Sequence, residues 1–249
     1  MSINKDKVKR AFSKSSCTYD QNADVQLEMI CQLVERLPNL RGKIIDVGAG
    51  TGLLARLLVE KFPTIDITAI DLAPGMVALA QKNRPHKKIH YLVADGENLP
   101  FNDKTFDYVV SNASYQWMEP ALAFSEAARV LKPGGQFYFT TFGPKTLIEL
   151  KTAGWPVNQF CSQAELKTEL KKHFKQVQLG SIAIKKTYAD VYGLLATLKA
   201  IGSQNQSSQR QQGLVTKKKI MALFPNSQAG VLVTYEVING FGCNVNLTN

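Results

Sequence analysis

The sequence predicts an α/β fold in which helices cover both faces of a mainly parallel, doubly wound sheet. From residue 43 to residue 142, short apolar segments of strand length alternate with longer segments of helical spacing. This alternation is typical of parallel strands joined by helical crossovers. Four predicted strands also lead into a glycine or a polar residue, namely Gly48, Asp71, Asp95 and Asn112. Because ligands bind at the carboxyl ends of such strands, these positions predict one shared crevice.

The individual elements follow one another in a regular order. We expect strands over residues 43–47, 65–70, 89–93, 106–110 and 136–142, and helices over 24–37, 53–62, 74–83 and 120–131. The last of these helices is expected to stop at the Pro133-Gly134-Gly135 turn. Beyond residue 143 we expect helices over 163–173 and 189–201, strands over 176–187 and 230–239, and a mobile polar loop over 203–213.

Length and composition restrict the class of protein. The 249 residues, 45% of them hydrophobic, can form one sizeable core with a small appended part. The sequence has no apolar run of the roughly 20 residues that span a bilayer, and its first residues do not form a signal peptide. Its four cysteines include no C-x-x-C pair, so we expect neither a bound metal nor disulfides. A cytoplasmic protein without a membrane partner is therefore expected.

The positive charge is concentrated in one part of the chain. The formal net charge is +10, but residues 1–42 carry 7 basic and 5 acidic side chains and residues 43–142 carry 10 of each. Residues 143–249 carry 13 basic and 5 acidic side chains. This excess is either an ordinary solvated surface or a docking face for an anionic partner.

A glycine-rich turn follows the first predicted strand. Glycines alternate at Gly48, Gly50 and Gly52, with Asp46 just before them, so a ligand can approach the backbone closely. The spacing is neither that of a dinucleotide fingerprint nor that of a P-loop. Asp71 could accept hydrogen bonds from both hydroxyls of a ribose, and Asp95 from an adenine amino group. Each aspartate could instead cap a helix or form a turn.

These motifs together resemble those of the class I S-adenosylmethionine-dependent methyltransferases. The resemblance rests on residues 45–52 (IDVGAGTG), Asp71, Asp95 and residues 129–135 (RVLKPGG). It implies a Rossmann-like seven-stranded sheet with an appended helical substrate-binding lobe, and S-adenosylmethionine as the cofactor. The cofactor-binding residues that it implies are Asp46, Gly48, Ala49, Gly50, Gly52, Asp71, Leu72, Met76, Asp95, Gly96, Glu97 and Asn112.

Segments outside this core resemble a narrower family, the biotin-pathway malonyl-acyl-carrier-protein O-methyltransferases. They are residues 11–13 (AFS), 19–23 (YDQNA), 111–117 (SNASYQW), 139–142 (FTTF), 198–202 (LKAIG) and 232–236 (LVTYE). The resemblance implies methyl transfer to the free carboxylate of a malonyl thioester on acyl carrier protein. We expect three parts: a helical lid over 1–42, a cofactor-binding core over 43–142, and a basic docking part over 143–249 that includes the last two strands.

The implied reaction requires no strong base. A carboxylate is already ionised at neutral pH, since its reference pKa is about 4. We expect Tyr19 and Trp117 to close the site around the reacting groups, although either could simply pack a helix against the sheet. Gln116 is a third candidate catalytic residue, as a donor to the acceptor, and Lys145 is a candidate cation for the malonyl group.

Two other functions remain open from the residues alone. The acceptor could be another small carboxylic acid or a quinone-like molecule, because only the cofactor half would be shared. A nucleic-acid substrate is disfavoured, since the segment after the fourth strand (SNASY, residues 111–115) lacks the Pro-Pro-aromatic pattern. We expect the basic part to dock the acidic acyl carrier protein through Lys171, Lys172, Lys175 or the lysines at 217–219.

Overall fold

A seven-stranded sheet organises the part of the chain that the computed structural model describes, residues 3–83, 86–203 and 230–244. The strands are β1 (Gly42–Val47), β2 (Ile65–Asp71), β3 (Ile89–Val93), β4 (Phe106–Asn112), β5 (Leu131–Phe142), β6 (Gln176–Tyr188) and β7 (Val231–Cys243). Their spatial order is β3-β2-β1-β4-β5-β7-β6. The first five strands are parallel, and β7 lies antiparallel between β5 and β6. The predicted doubly wound α/β fold is confirmed.

Helices flank this sheet. They are α1 (Lys5–Tyr19), α2 (Asp24–Arg36), α3 (Leu53–Lys61), α4 (Pro74–Asn83), α5 (Pro120–Val130), α6 (Ile148–Thr152), α7 (Gln163–His173) and α8 (Val191–Ala200). Side chains cap several of them as their sequences suggest. Asn4 accepts a hydrogen bond from the backbone N–H of Lys7 at the start of α1, and Ser162 and Glu165 form a capping box on α7.

Apolar side chains hold the helices against the sheet on both of its faces. Phe124 of α5 is completely buried in one cluster with Phe137 and Phe139 of β5. Leu58 of α3 is completely buried in another cluster with Ile44 of β1. A third cluster, around Val233, Val237, Leu194 and Leu150, packs α6 and α8 against the β7 end of the sheet. Replacing Phe124, Phe137 or Phe139 by alanine would lower the free energy of unfolding by about 3–5 kcal/mol. These buried contacts fix the position of the sheet edge that carries the crevice.

Strand β5 begins earlier than the sequence suggests. Helix α5 ends at Val130, and Leu131 already pairs with Phe106 of β4. The next pair joins Gln136 to Tyr108, so the Pro-Gly-Gly segment forms an irregularity within the strand. The expectation of a turn before a strand at 136 was wrong, because the backbone on both sides of this segment pairs with β4.

Strand β7 also extends past its expected end at residue 239, to Cys243. Two glycines inside it lie against aromatic rings, because a Cβ on Gly240 would collide with Phe139 and one on Gly242 with Phe174. Glycine weakens an isolated strand but permits such close approach. The glycines therefore mark side-chain packing rather than the end of the strand.

Some expectations concern residues outside this description. Residues 204–213 of the expected polar loop and the lysines at 217–219 lie outside the described residues. Among the residues that are described, no helix is long and apolar enough to cross a membrane.

Candidate cofactor and acceptor site

The glycine-rich turn lies where β1 meets α3, at the carboxyl edge of the sheet. The N–H groups of Gly48 and Ala49 both donate to the carbonyl of Ile70, each at 2.8 Å, so the turn is bound to β2. Gly52 ends the turn as the N-cap of α3, with φ 80°. These contacts hold the turn beside Asp71, the last residue of β2.

Two of the glycines in this turn have different reasons to be glycine. Gly48 has φ 73°, and a Cβ there would collide with the side chain of Ser114. Gly50 has φ 56°, but a Cβ there would meet nothing within 4 Å. Because the space beside Gly50 is open, the turn presents bare backbone to a ligand.

Asp71 is fixed by backbone N–H groups at both of its oxygens. Gly50 donates to Oδ2 and Ala73 donates to Oδ1, each at 2.8 Å. Burial raises the pKa of Asp71, and these two hydrogen bonds oppose the shift. A carboxylate has about four lone-pair sites, so both oxygens can still accept hydrogen bonds from a diol. The position fits the predicted contact with a ribose.

Asp46 has no exposed surface, and neither of its oxygens has a hydrogen-bond partner of normal geometry. Burial, followed by the nearby charge of Asp71, raises the pKa of Asp46 to about 8, while the N–H of Ala55 opposes the shift. Together with Asp20 and Asp24, it lines a chamber of about 70 Å³ beside the glycine-rich turn. An unpaired buried carboxyl in an acidic chamber fits the ammonium group of an amino acid.

Helix α1 lies across a second chamber of about 70 Å³, which we call the nucleoside chamber. Its α1 side is formed by Lys5, Val8 and Phe12, which share one helical face. The Nζ of Lys5 lies 2.6 Å from Oδ2 of Asp95 and 2.7 Å from Oε2 of Glu97. Burial lowers the pKa of Lys5, but the two hydrogen bonds outweigh it and raise the pKa overall. Sequence reasoning quoted Phe12 within the AFS segment but missed Lys5 and Val8, although the i, i+3, i+7 spacing of the three residues was a visible signal.

Aromatic side chains close the nucleoside chamber. Tyr19 lines both this chamber and the acidic chamber that contains Asp46. Desolvation, followed by the charges of Asp71 and Asp20, raises the pKa of the Tyr19 hydroxyl, so it stays protonated. Phe12 stands between Tyr19 and Trp117, with ring centroids 6.3 Å and 5.5 Å away respectively. Tyr19 and Trp117 thus lie at the site as expected, and their catalytic roles stay predictions.

Two amide side chains in the segment after β4 are occupied by the fold. Asn112 donates from Nδ2 to the carbonyl of Gln26 at 3.1 Å and accepts from Thr140 Oγ1 at 2.6 Å. Gln116 donates to the carbonyl of Ala113 and accepts from Thr141 Oγ1 at 2.9 Å. These bonds fasten α2 and the turn after β4 to the sheet. The proposed donor role of Gln116 stays a prediction.

Most of the predicted cofactor residues meet around these two chambers. The residues that line one or both of them are Asp46, Gly48, Ala49, Gly50, Asp71, Leu72, Met76, Asp95, Gly96 and Asn112. Gly52 does not line either chamber and instead lies against Tyr91. Glu97 does not line either chamber; it pairs with Lys5, as described above, and accepts a hydrogen bond from the N–H of Glu119 at 2.9 Å. Lys145 is exposed, and its backbone N–H donates to Glu236 at 2.8 Å.

A larger cavity of about 700 Å³, which we call the acceptor cavity, lies next to the nucleoside chamber. Trp117 lines both. The lining of the acceptor cavity is mostly apolar and aromatic, and includes Phe142, Leu147, Leu150, Trp155, Leu198 and Tyr235. Among the described residues that line it there is no Asp, Glu or His, and Lys199 is its one charged side chain. Sequence reasoning missed this cavity, because its described lining comes from five separate segments of the chain.

The fold and the site together define a class I S-adenosylmethionine-dependent methyltransferase. The family described as "Methyltransferase domain" matches residues 45–139. Over most of its length the chain is similar to malonyl-[acyl-carrier protein] O-methyltransferases. It is 32% identical to the one from Methylococcus capsulatus, over 92% of this chain and 90% of that protein. It is 33% identical to the one from Geobacter sulfurreducens, over 96% and 99% respectively.

A solved structure is similar in fold alone. Geranyl diphosphate C-methyltransferase from Streptomyces coelicolor, in complex with S-adenosyl-L-homocysteine, superposes with a TM-score of 0.56 at 14% identity, covering 88% of this chain and 81% of that one. The chain belongs to the malonyl-[acyl-carrier protein] O-methyltransferase family. The resemblance that the sequence motifs indicated is thereby confirmed, and S-adenosylmethionine is the cofactor of this class.

Proposed function

We propose that this protein transfers a methyl group to the free carboxylate of a malonyl group held as a thioester on acyl carrier protein, a step of biotin biosynthesis. The observation that carries the proposal is the junction at Trp117, where the nucleoside chamber meets an acceptor cavity whose described lining contains no acidic side chain. The relatives named above support the choice of acceptor, since their names specify malonyl-acyl carrier protein.

The residues of the site fit the cofactor. Asp71 would hold the ribose, Asp95 the adenine amino group, and the backbone at Gly50, with Asp46, the amino-acid part. When bound, S-adenosylmethionine supplies an electrophilic methyl group on a sulfonium sulfur. Asp46 is protonated below pH 8 in the free protein, and an adjacent ammonium would favour its ionised form.

The reaction relies on positioning and on the exclusion of water. Because the accepting carboxylate is already an anion, no residue has to remove a proton. The described lining of the acceptor cavity, which lacks Asp, Glu and His, agrees with this. Tyr19, Phe12 and Trp117 shield the junction, and fixing two reactants in line supplies about 7–11 kcal/mol. A dry site also favours reaction between an anion and a cation, since charge disperses.

We further propose that α1 is the moving part of the expected lid over residues 1–42, because α2 is packed into the core through Ile30 and Leu33. Helix α1 contacts both halves of the site: the N–H of Gly75 in α4 donates to Ser13 Oγ at 3.3 Å, and Thr18 Oγ1 donates to the carbonyl of Ala200 in α8 at 2.8 Å. The two chambers of about 70 Å³ are far smaller than the 300 Å³ or more of typical ligand pockets. Entry of the cofactor therefore requires α1 to move away from α4.

We propose that the carrier docks within residues 143–249, and strand register supports one part of this segment over another. Gln176, at the start of β6, lies level with Gln136, which is inside β5 and six residues before its end, because both pair with Cys243. At about 3.3 Å per residue, Gln176 lies about 20 Å from the carboxyl edge of the sheet. Lys175 immediately precedes Gln176, and Lys171 and Lys172 belong to the last turn of α7 just before it, so these lysines lie towards the opposite edge. The sheet geometry therefore favours docking near Lys199 instead.

A panel of acceptors tests the proposal. We expect methyl transfer to malonyl-acyl carrier protein with a higher kcat/KM than to free malonate, other dicarboxylic acids or a quinone-like phenol. Activity on a free acid or a phenol, with none on the thioester, would contradict the proposal and favour the alternative acceptor class. Rescue of biotin-independent growth in a host lacking its own methyltransferase tests the pathway.

A further inference from the structure

Trp117 lines two openings that differ in the charge of their side chains. One is the acceptor cavity, and the other is an acidic groove of about 370 Å³. Glu119, Glu165 and Glu169 line the groove, and the described residues lining it include no Lys, Arg or His. Hydrogen bonds from the backbone and hydroxyl of Ser162 lower the pKa of Glu165, which keeps it ionised. Glu169 is paired with Lys172 at 2.6 Å, so Glu119 and Glu165 supply most of the groove's negative charge, which disfavours an anionic substrate there.

Charge is distributed unevenly along the acceptor cavity. Trp117, which the cavity shares with the cofactor side, is half-buried, and Tyr235 is only 5% exposed. Lys199, near the end of α8, is exposed, and it takes part in none of the ion pairs of the described part of the chain. The cavity therefore runs from an uncharged, buried interior to a positively charged rim.

The substrate has a matching pattern of charge. The malonyl carboxylate must lie at the Trp117 junction, where the methyl group is delivered. The pantetheine arm that follows the thioester is uncharged, and the next anion along it is the phosphate, which acyl carrier protein and coenzyme A both possess. A cavity of about 700 Å³ is much larger than a malonyl group, so it has room for the arm as well.

We propose that Lys199 binds the phosphate of the phosphopantetheine arm at the rim of the acceptor cavity. The proposal rests on the malonyl-thioester function above and adds a specificity residue to it. An ammonium is a compact, mobile charge that suits a phosphate at an exposed rim. Such a pair is worth up to about 1 kcal/mol at an exposed position, which corresponds to about fivefold in KM.

The test compares two substrates that differ only in the phosphate, malonyl-pantetheine and malonyl-phosphopantetheine. In the wild type we expect KM to be about fivefold lower for the phosphorylated substrate. In Lys199→Gln we expect the ratio of the two KM values to fall to about one, and in Lys199→Arg to be retained. Lys151→Gln, at an exposed lysine of α6 outside the cavity lining, is the matched control and should keep the wild-type ratio.

Other outcomes are decisive as well. Equal KM values for the two substrates in the wild type, or an unchanged ratio in Lys199→Gln, would overturn the phosphate assignment and leave the methyltransferase function intact. A wild type that methylates neither substrate nor malonyl-acyl carrier protein would overturn the function and this proposal with it. Malonyl-coenzyme A and malonyl-acyl carrier protein, assayed in parallel, show whether both sources of the phosphate depend on Lys199. Thermal unfolding confirms that each variant is folded.

Discussion

The substitution Asp46→Asn tests how the site uses a buried carboxyl. In the folded protein the pKa of Asp46 rises from 3.8 to about 8, because the side chain is buried beside Asp71. Between these values the folded state holds a proton that the unfolded state releases, so the free energy of unfolding falls as pH rises. At 1.36 kcal/mol per unit, the loss by pH 8 is on the order of 5 kcal/mol. Because asparagine does not ionise, the free energy of unfolding of the variant should not show this fall with pH.

Urea unfolding of the cofactor-free protein measures the effect. We expect Asp46→Asn to match the wild type near pH 4 and to exceed its free energy of unfolding by several kcal/mol at pH 8. The same variant should bind S-adenosylhomocysteine more weakly, because its amide cannot pair with the ligand's ammonium group. Calorimetry in buffers of different ionisation enthalpy should detect a proton released on binding to the wild type at pH 7, and none with the variant. A stability difference that does not change with pH would refute this reasoning.

Three further predictions concern the turn, the lid and the ribose site. Gly48→Ala should lower the free energy of unfolding by more than about 2 kcal/mol in urea titrations, since its Cβ collides with Ser114, whereas Gly50→Ala should cost about 1 kcal/mol from backbone strain alone; equal losses would contradict the packing assigned to Gly48. Lys5→Gln should increase hydrogen exchange throughout α1, because it removes the ion pairs of Lys5 with the partly exposed Asp95 and the buried Glu97; unchanged exchange would show that Lys5 does not fasten the lid. Asp71→Ala should reduce affinity for S-adenosylhomocysteine by at least tenfold, since two charge-assisted hydrogen bonds are lost; wild-type affinity by calorimetry would exclude the ribose contact.

The cofactor side of the site could be predicted from sequence because its residues lie in short, continuous motifs at the ends of strands. A strand that ends in a glycine-rich turn, and a second strand that ends on Asp71, specify their own geometry through backbone hydrogen bonds. The sheet order supplies the rest, since parallel strands bring their carboxyl ends together. Most of the cofactor residues that the resemblance implied therefore line the two chambers.

The acceptor side could not be predicted in this way. Its described lining comes from α2, the turn at Trp117, residues 142–160, residues 192–203 and β7, which only tertiary packing brings together. The hydrogen-bond partners of individual polar residues could not be predicted from sequence either. Asn112 and Gln116 looked like free donors, but their amides hold backbone groups in place, and no local pattern distinguishes these two uses.

The central claim is that the nucleoside chamber and the acceptor cavity, which meet at Trp117, form one methyl-transfer site for a malonyl thioester. The most direct test is the intact mass of malonyl-acyl carrier protein after incubation with this protein and S-adenosylmethionine. We predict that the carrier gains the mass of a single methyl ester and that fragmentation places the ester on the malonyl carboxylate. A carrier whose mass does not change, or whose added methyl group lies elsewhere, would contradict the claim.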